Sequence, residues 1–143
     1  MDYKVHAKIK PRFVDIDWLG HVNNAHYLTF FEQARIEYFK NFPEIDFRNY
    51  DPKKNFSVIL AEAKCTFKSP AYLDETLLVY VRAVKMGRSS FKLEYLIQEE
   101  NSKREIATGE TIMVYYDYAQ QRSVVIPPEL RKRFEEIEER KFE

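Results

Sequence analysis

The sequence predicts an α+β domain in which one curved antiparallel sheet wraps a single long helix. Three observations carry this. A run near the N-terminus alternates apolar and polar residues, and the stretch after it has a helical period. Four more strand-like runs then come before a short charged helix. At 143 residues the chain can bury one core and has little room for a second, so residues 1–143 read as one domain.

Residues 4–13 open with Val5, Ala7 and Ile9 alternating against Lys4, His6, Lys8 and Lys10, a half-buried strand. A turn-like segment from Asp15 to Asn24 comes next. The helix is expected from residue 25 to about 40, with Asn23 or Asn24 as its N-cap, because a short side-chain oxygen accepts a backbone N–H that the helix leaves unpaired. At about 100° per residue, His26, Thr29, Gln33, Glu37 and Lys40 form one narrow polar stripe. Nearly everything else on this helix is apolar, which predicts enclosure on most of its circumference.

A loop containing Pro43 and Pro52 leads to residues 57–68, where Ile59, Ala61, Ala63, Cys65 and Phe67 share one face. Their mostly small side chains let a helix approach closely. Residues 75–86 and 90–100 read as a hairpin about Gly87-Arg88-Ser89, and Asn101-Ser102-Lys103 turns the chain into residues 105–118. Pro127-Pro128 starts the last helix, residues 129 to about 140, whose alternating charges read as a solvated helix. The sheet therefore has five strands. An open sheet of this kind leaves edges, so pairing of two copies through an edge is expected.

Composition excludes several classes. Lys plus Arg and Asp plus Glu are each 23, a net charge of 0, which argues against a general nucleic-acid binder. The single cysteine, Cys65, excludes an intramolecular disulfide and a multi-cysteine zinc site. No apolar run approaches the roughly 18 residues that span a bilayer, and the first residues lack a signal-peptide pattern. A cytoplasmic protein with no membrane partner is expected. Ten Tyr and eleven Phe imply large ring surfaces at a core, an interface or a ligand tunnel.

The chemistry concentrates between Asp15 and Arg35. Asp17 lies just before a helix N-terminus, whose backbone N–H groups can polarise a carbonyl and bind an oxyanion. A carboxylate beside such a hole can attack the carbonyl or activate water to do so. Asp-x-x-Gly turns are common, however, and on spacing alone this one also reads as an ordinary turn.

The run Asp15-Ile16-Asp17-Trp18-Leu19-Gly20-His21-Val22-Asn23-Asn24-Ala25-His26-Tyr27, continuing to Phe31-Glu32-Gln33-Ala34-Arg35, resembles the opening signature of the 4-hydroxybenzoyl-CoA thioesterase family of hotdog-fold acyl-CoA thioesterases. Its His-Val-Asn-Asn variant is also similar to acyl-carrier-protein thioesterases of plants and bacteria. Phe67-Lys68-Ser69-Pro70-Ala71-Tyr72-Leu73-Asp74-Glu75 and Gly87-Arg88-Ser89-Ser90-Phe91 fit the same family, so the resemblance spans residues 8–118. It implies a hotdog fold, an acyl-CoA substrate and neither metal nor cofactor. It also implies homodimers or homotetramers with active sites at subunit interfaces.

Carried over by position, Asp17 matches the catalytic carboxylate, and the amides just after Asn23 match the donors that polarise the thioester carbonyl. His21 is a candidate for positioning water or substrate, with loop structure as its alternative. Asn23 reads as a cap or as an orienter of water, and Asn24 and Tyr27 as substrate contacts. Arg35 is expected to be buried and braced by Glu32, or Glu32 to line the acyl pocket. Arg88, with Ser89 and Ser90, is a candidate for the phosphates of coenzyme A. Asp15 reads as a loop-organising acceptor, His26 as solvated, Glu62 as a rival carboxylate with a solvent or interface role, and Cys65 as structural.

The reading is an acyl-CoA thioesterase yielding free acid and coenzyme A. The alternatives are an acyl-carrier-protein thioesterase, which balanced charge disfavours, and a non-catalytic acyl-CoA-binding module, which Asp17 with its glycine turn disfavours.

Overall fold

The computed structural model describes residues 2–49, 51 and 57–142, so Pro52 lies outside the described residues. The main sheet runs β1 (Val5–Ile9), β3 (Leu77–Met86), β4 (Ser90–Glu99), β5 (Glu105–Asp117), β2 (Val58–Phe67), with every neighbour antiparallel. A two-residue strand, β6 (Arg122–Ser123), folds back to pair antiparallel with the end of β5 and was not anticipated. The long helix α1 (Tyr27–Phe39) packs on the inner face of the curled sheet, and α2 (Pro128–Glu138) packs against β3. This is the hotdog arrangement. β1 stops at Ile9 because Pro11 offers no N–H and the chain enters a 3-10 turn at Phe13–Asp15.

Strict alternation makes β4 the spine of the core: Phe91, Leu93, Tyr95 and Ile97 all point inward and are buried. Phe31 of α1 stacks on Tyr95 with ring centroids 4.4 Å apart. The neighbouring position on β5 is Gly109, where a β-carbon would overlap the Phe31 ring and lie 2.9 Å from the Lys64 carbonyl. Glycine is there to admit a ring, not to make a turn.

The expected enclosure of the helix is corrected. α1 buries Tyr27, Phe30, Phe31, Ala34, Arg35, Tyr38 and Phe39, the three-and-four spacing of one face. Leu28 and Ile36 stay 44% and 41% exposed. Within one chain, the sheet covers one side of the helix only. Arg35 is buried and keeps the expected ion pair with Glu32, but it has a further partner: its Nη1 donates to the Tyr95 hydroxyl at 3.2 Å, and that oxygen is 2.7 Å from Thr111 Oγ1. Glu32 is 3.9 Å away with its side chain 65% exposed. The brace runs across the core, with Glu32 a loose addition.

The face assigned to the second strand is corrected too. Leu60 lies opposite Met113 and Glu62 opposite Ile112, so Ala61 is an extra, bulged residue. Directly paired residues share a side of the sheet. Val58 and Leu60 therefore join Ala63, Cys65 and Phe67 on the inner side, and Ile59 falls outside.

α2 is not the solvated helix expected. Leu130, Phe134 and Glu138 are buried at four-residue spacing. The Phe134 ring lies 4.7 Å from Phe91 and 4.9 Å from Phe42. Glu138 Oε2 accepts the Tyr38 hydroxyl at 2.7 Å and the Ala83 N–H at 2.8 Å. Burial pushes its carboxyl above the usual glutamate range, against the pull of these two donors.

Candidate active site

The loop between β1 and α1 is built on two aspartates with different duties. Asp15 is buried; its Oδ2 accepts the Arg12 N–H at 2.8 Å, its Oδ1 the Arg12 guanidinium at 3.1 Å, and its carbonyl the Asn23 N–H at 2.9 Å. Burial alone would raise its carboxyl, but the Arg12 contacts outweigh this and hold it low. His26, expected to be solvated, puts Nδ1 3.5 Å from Asp15 Oδ1. Asp15 thus ties the two ends of the loop together.

Asp17 sits on the arc that this tie creates. Its N–H donates to the His21 carbonyl at 2.9 Å, and Gly20 N–H returns to its carbonyl at 3.1 Å. Gly20 has φ +88°, the left-handed conformation that glycine adopts without strain, so the chain reverses in four residues. The reversal brings the side chains of Asp17 and His21 to the same side, with Oδ2 3.7 Å from Nδ1. Asp17 Oδ1 is held by the Leu19 N–H at 2.9 Å. The gap to His21 is too long for a direct hydrogen bond, and one water molecule can bridge it.

Asn23 caps the start of the helical region, its Oδ1 accepting the Ala25 N–H at 3.0 Å. Of the amides just after Asn23, that of Ala25 is therefore occupied. The Asn24 N–H has no acceptor among the described residues, so it is the donor that can meet a ligand. The helix begins as a 3-10 turn at Asn24–His26 before α1 proper.

A cavity of about 230 Å³ opens here, lined by His21, Asn24, Tyr27, Phe67 and Lys68–Pro70. The Tyr27 ring meets Phe67 edge-on at 5.1 Å, and burial pushes its hydroxyl up to about 12. The lining from Phe67 to Pro70 was missed as site residues. The segment stands out as a motif, but no spacing rule connects it to Asp17. The link is the Val22 N–H donating to the Ala71 carbonyl at 2.8 Å.

Farther along α1, Leu28, Glu32, Arg35, Leu60, Ala63 and Thr111 surround a second cavity of about 130 Å³. Glu32 belongs to this one. Arg88 and Ser89 are not with Asp17 at all: they lie at the β3–β4 turn, the opposite end of the sheet. Ser90 is taken into the β4 ladder opposite Val114. Glu62 is exposed on β2, away from the loop. Among the described residues, no group of three or more His, Cys, Asp and Glu side chains could hold a metal ion, and no helix is long and apolar enough to cross a membrane.

Comparison with known proteins agrees with the fold. The model of the thioesterase-like superfamily matches residues 11–134. The chain is 26% identical to the long-chain acyl-CoA thioesterase FadM of Escherichia coli K12 over 131 residues, 92% of this chain and 97% of that one. It is 32% identical to YsmA of Bacillus subtilis strain 168, an uncharacterized protein, over 75% of this chain and 69% of that one. A thioesterase from Thermus thermophilus, solved with coenzyme A and zinc, superposes with a TM-score of 0.83 at 31% identity, covering 97% of this chain and 98% of that one.

Proposed function

Because the chain belongs to the thioesterase-like superfamily, we propose that it is a thioester hydrolase acting on acyl-CoA, releasing a free acid and coenzyme A. The observation that carries the reading is the placement of the Asp17 carboxylate and the His21 imidazole, 3.7 Å apart, in a loop that also presents the Asn24 N–H. In this reading a water bridges Asp17 and His21. Asp17 accepts its proton as the water oxygen attacks the thioester carbon. The Asn24 N–H donates to the carbonyl oxygen as it becomes an oxyanion, an interaction of roughly 3–4 kcal/mol in the transition state. Collapse expels the coenzyme A thiolate, which recovers the proton. Asn23 holds the Ala25 amide and so keeps the helix start in register, and Tyr27 forms one wall of the acyl entrance. The assignment of Asp17 rests on the 4-hydroxybenzoyl-CoA-type signature together with this geometry.

The same reading includes a homodimer. β1 is a short edge guarded by Lys4 and Lys8, each ion-paired, to Glu139 and Glu100. The other edge, β2, runs ten residues, with Leu60 and Phe67 47% and 48% exposed. Beside it stands the open face of α1. A second copy paired along β2 covers both.

A thiol-release assay over a panel of acyl-CoAs, with acyl-carrier-protein thioesters in parallel, tests the reading. Asp17→Asn is expected to lower kcat by at least about a hundredfold. Near-normal turnover in that variant would remove Asp17 from the chemistry.

A further inference from the structure

A guanidinium outside the cavity holds the wall that faces Asp17. Arg104 sits in the β4–β5 turn, where its carbonyl accepts the Glu99 N–H at 3.0 Å and its own N–H donates to Ser102 Oγ at 3.2 Å. From there Nη2 donates to the Pro70 carbonyl at 2.9 Å and to the two Glu75 carboxylate oxygens at 2.9 and 3.0 Å. Its Nε donates to Ser69 Oγ at 3.2 Å, and the Ser69 hydroxyl donates to the Glu105 carbonyl at 2.7 Å. Glu75 Oε1 also accepts the Tyr72 N–H at 2.9 Å, and the Glu75 N–H donates to the Tyr72 carbonyl at 3.1 Å. One planar fork therefore gathers Ser69, Pro70 and Glu75 of the segment that joins β2 to β3. A lysine, as a single point of charge, could not meet all three.

This segment carries the Asp17 loop. Ala71 within it is fully buried, and its carbonyl takes the Val22 N–H at 2.8 Å. Val22, also fully buried, bridges to Ile16, so these two residues close the neck of the arc that presents Asp17 and His21. The Val22–Ala71 bond ties that neck to the segment. The same segment supplies Ser69 and Pro70 to the cavity wall, whereas Arg104 and Glu75 do not line the cavity. The opening between His21 and Asn24 on one side and Ser69 and Pro70 on the other is thus set from outside, by Arg104.

We propose that Arg104 is a positioning residue for thioester hydrolysis: by fixing residues 69–75 it holds Ala71, and through the Val22 N–H it holds Asp17 and His21 in place against the reacting carbonyl. The proposal rests on the acyl-CoA reading given above. Arg104 itself touches no substrate. Attack on a carbonyl tolerates little displacement, and a shift of about 1 Å can cost about a hundredfold in rate. The loss falls on kcat rather than KM, because Asp17 and Asn24 act on the transition state.

The test joins kinetics to a probe that the loop already carries. Trp18, the one tryptophan of the chain, is next to Asp17 and 92% exposed, so its fluorescence anisotropy reads the motion of this loop. In Arg104→Met, shown to be folded by circular dichroism, kcat for acyl-CoA should fall about ten- to hundredfold with KM within about threefold. The Trp18 anisotropy should fall with it. Arg104→Lys keeps the charge beside Glu75 and should lie between. If Arg104→Met does not fold, Arg104→Lys carries both measurements, with kcat expected to drop at least about threefold. Turnover within about twofold of the wild type in the folded variants overturns the proposal. So does a lowered kcat with unchanged Trp18 anisotropy, and so does an effect confined to KM, which would make Arg104 a substrate ligand. Wild-type protein that hydrolyses no thioester overturns the acyl-CoA reading instead, and the anisotropy of the Arg104 variants then decides alone whether this residue holds the loop.

Discussion

At Glu138 a single oxygen holds two buried hydrogen bonds. Its Oε2 accepts both the Tyr38 hydroxyl and the Ala83 N–H, and no water reaches any of the three groups in quantity, since Glu138 is 7% and Tyr38 0% exposed. Glu138→Ala strands two buried donors, each costing about 1–3 kcal/mol, so the loss should be about 2–6 kcal/mol. At 143 residues, with roughly 3–4 °C per kcal/mol, the melting temperature should fall on the order of 10 °C. Glu138→Gln keeps an acceptor oxygen and should cost less than about 1 kcal/mol at neutral pH. The two variants also differ in pH dependence. Burial raises the native carboxyl above its usual 4.5, so the folded chain holds this proton to higher pH than the unfolded chain does. Its contribution to stability is present below pH 4.5 and is lost as pH rises through the native value. Glu138→Gln should therefore gain on the wild type as pH increases from 4.5. Thermal melts across that range read both effects. Equal losses in Ala and Gln, or no change in the pH slope, would refute the account of α2 as anchored by this carboxylate.

Three other outcomes are expected from the packing. Gly109→Ala should cost about 1–3 kcal/mol by forcing the Phe31 ring aside, and Phe31→Leu in the same chain should recover part of it, as a double-mutant cycle in urea would show. Tyr95→Phe removes the hydroxyl between Arg35 and Thr111 and should lower stability by about 1–3 kcal/mol, whereas Gln33→Ala on the exposed stripe of α1 should stay within about 0.5 kcal/mol. Leu60→Asp places a charge on the open β2 edge and should give a folded monomer by sedimentation with little thioesterase activity; a persistent dimer would move the interface elsewhere.

The sheet was legible because its strands alternate where they are buried on one side, as β4 does without interruption from Phe91 to Ile97. The bulge at Ala61 was not, because an extra residue among small side chains leaves no mark in composition. β6 is two residues long and comes after a turn, too short for any period to register. The helix misreading has a physical source. Leu28 and Ile36 are apolar, and apolar residues read as covered, yet here 44% and 41% of their surfaces stay open to solvent. α2 was misjudged for the opposite reason: its charges dominate the sequence, while Leu130, Phe134 and Glu138 at every fourth place do the docking. The Asp17–Asn24 loop could be picked out from its motif. The cavity facing it could not, since Phe67 to Pro70 come from an element forty residues away that only backbone hydrogen bonding brings near.

Cys65 stands on the inner side of β2, opposite Gly109. A thioesterase sheds a free thiol at every turnover, and a reactive cysteine nearby would be captured as a mixed disulfide whenever conditions turn oxidising. Exchange requires a thiolate. Burial pushes the Cys65 thiol up to about 11, leaving on the order of one molecule in ten thousand ionised at pH 7. The chain thus keeps its one sulfhydryl in the protonated, slowly exchanging form beside the thiol that a thioester hydrolysis releases.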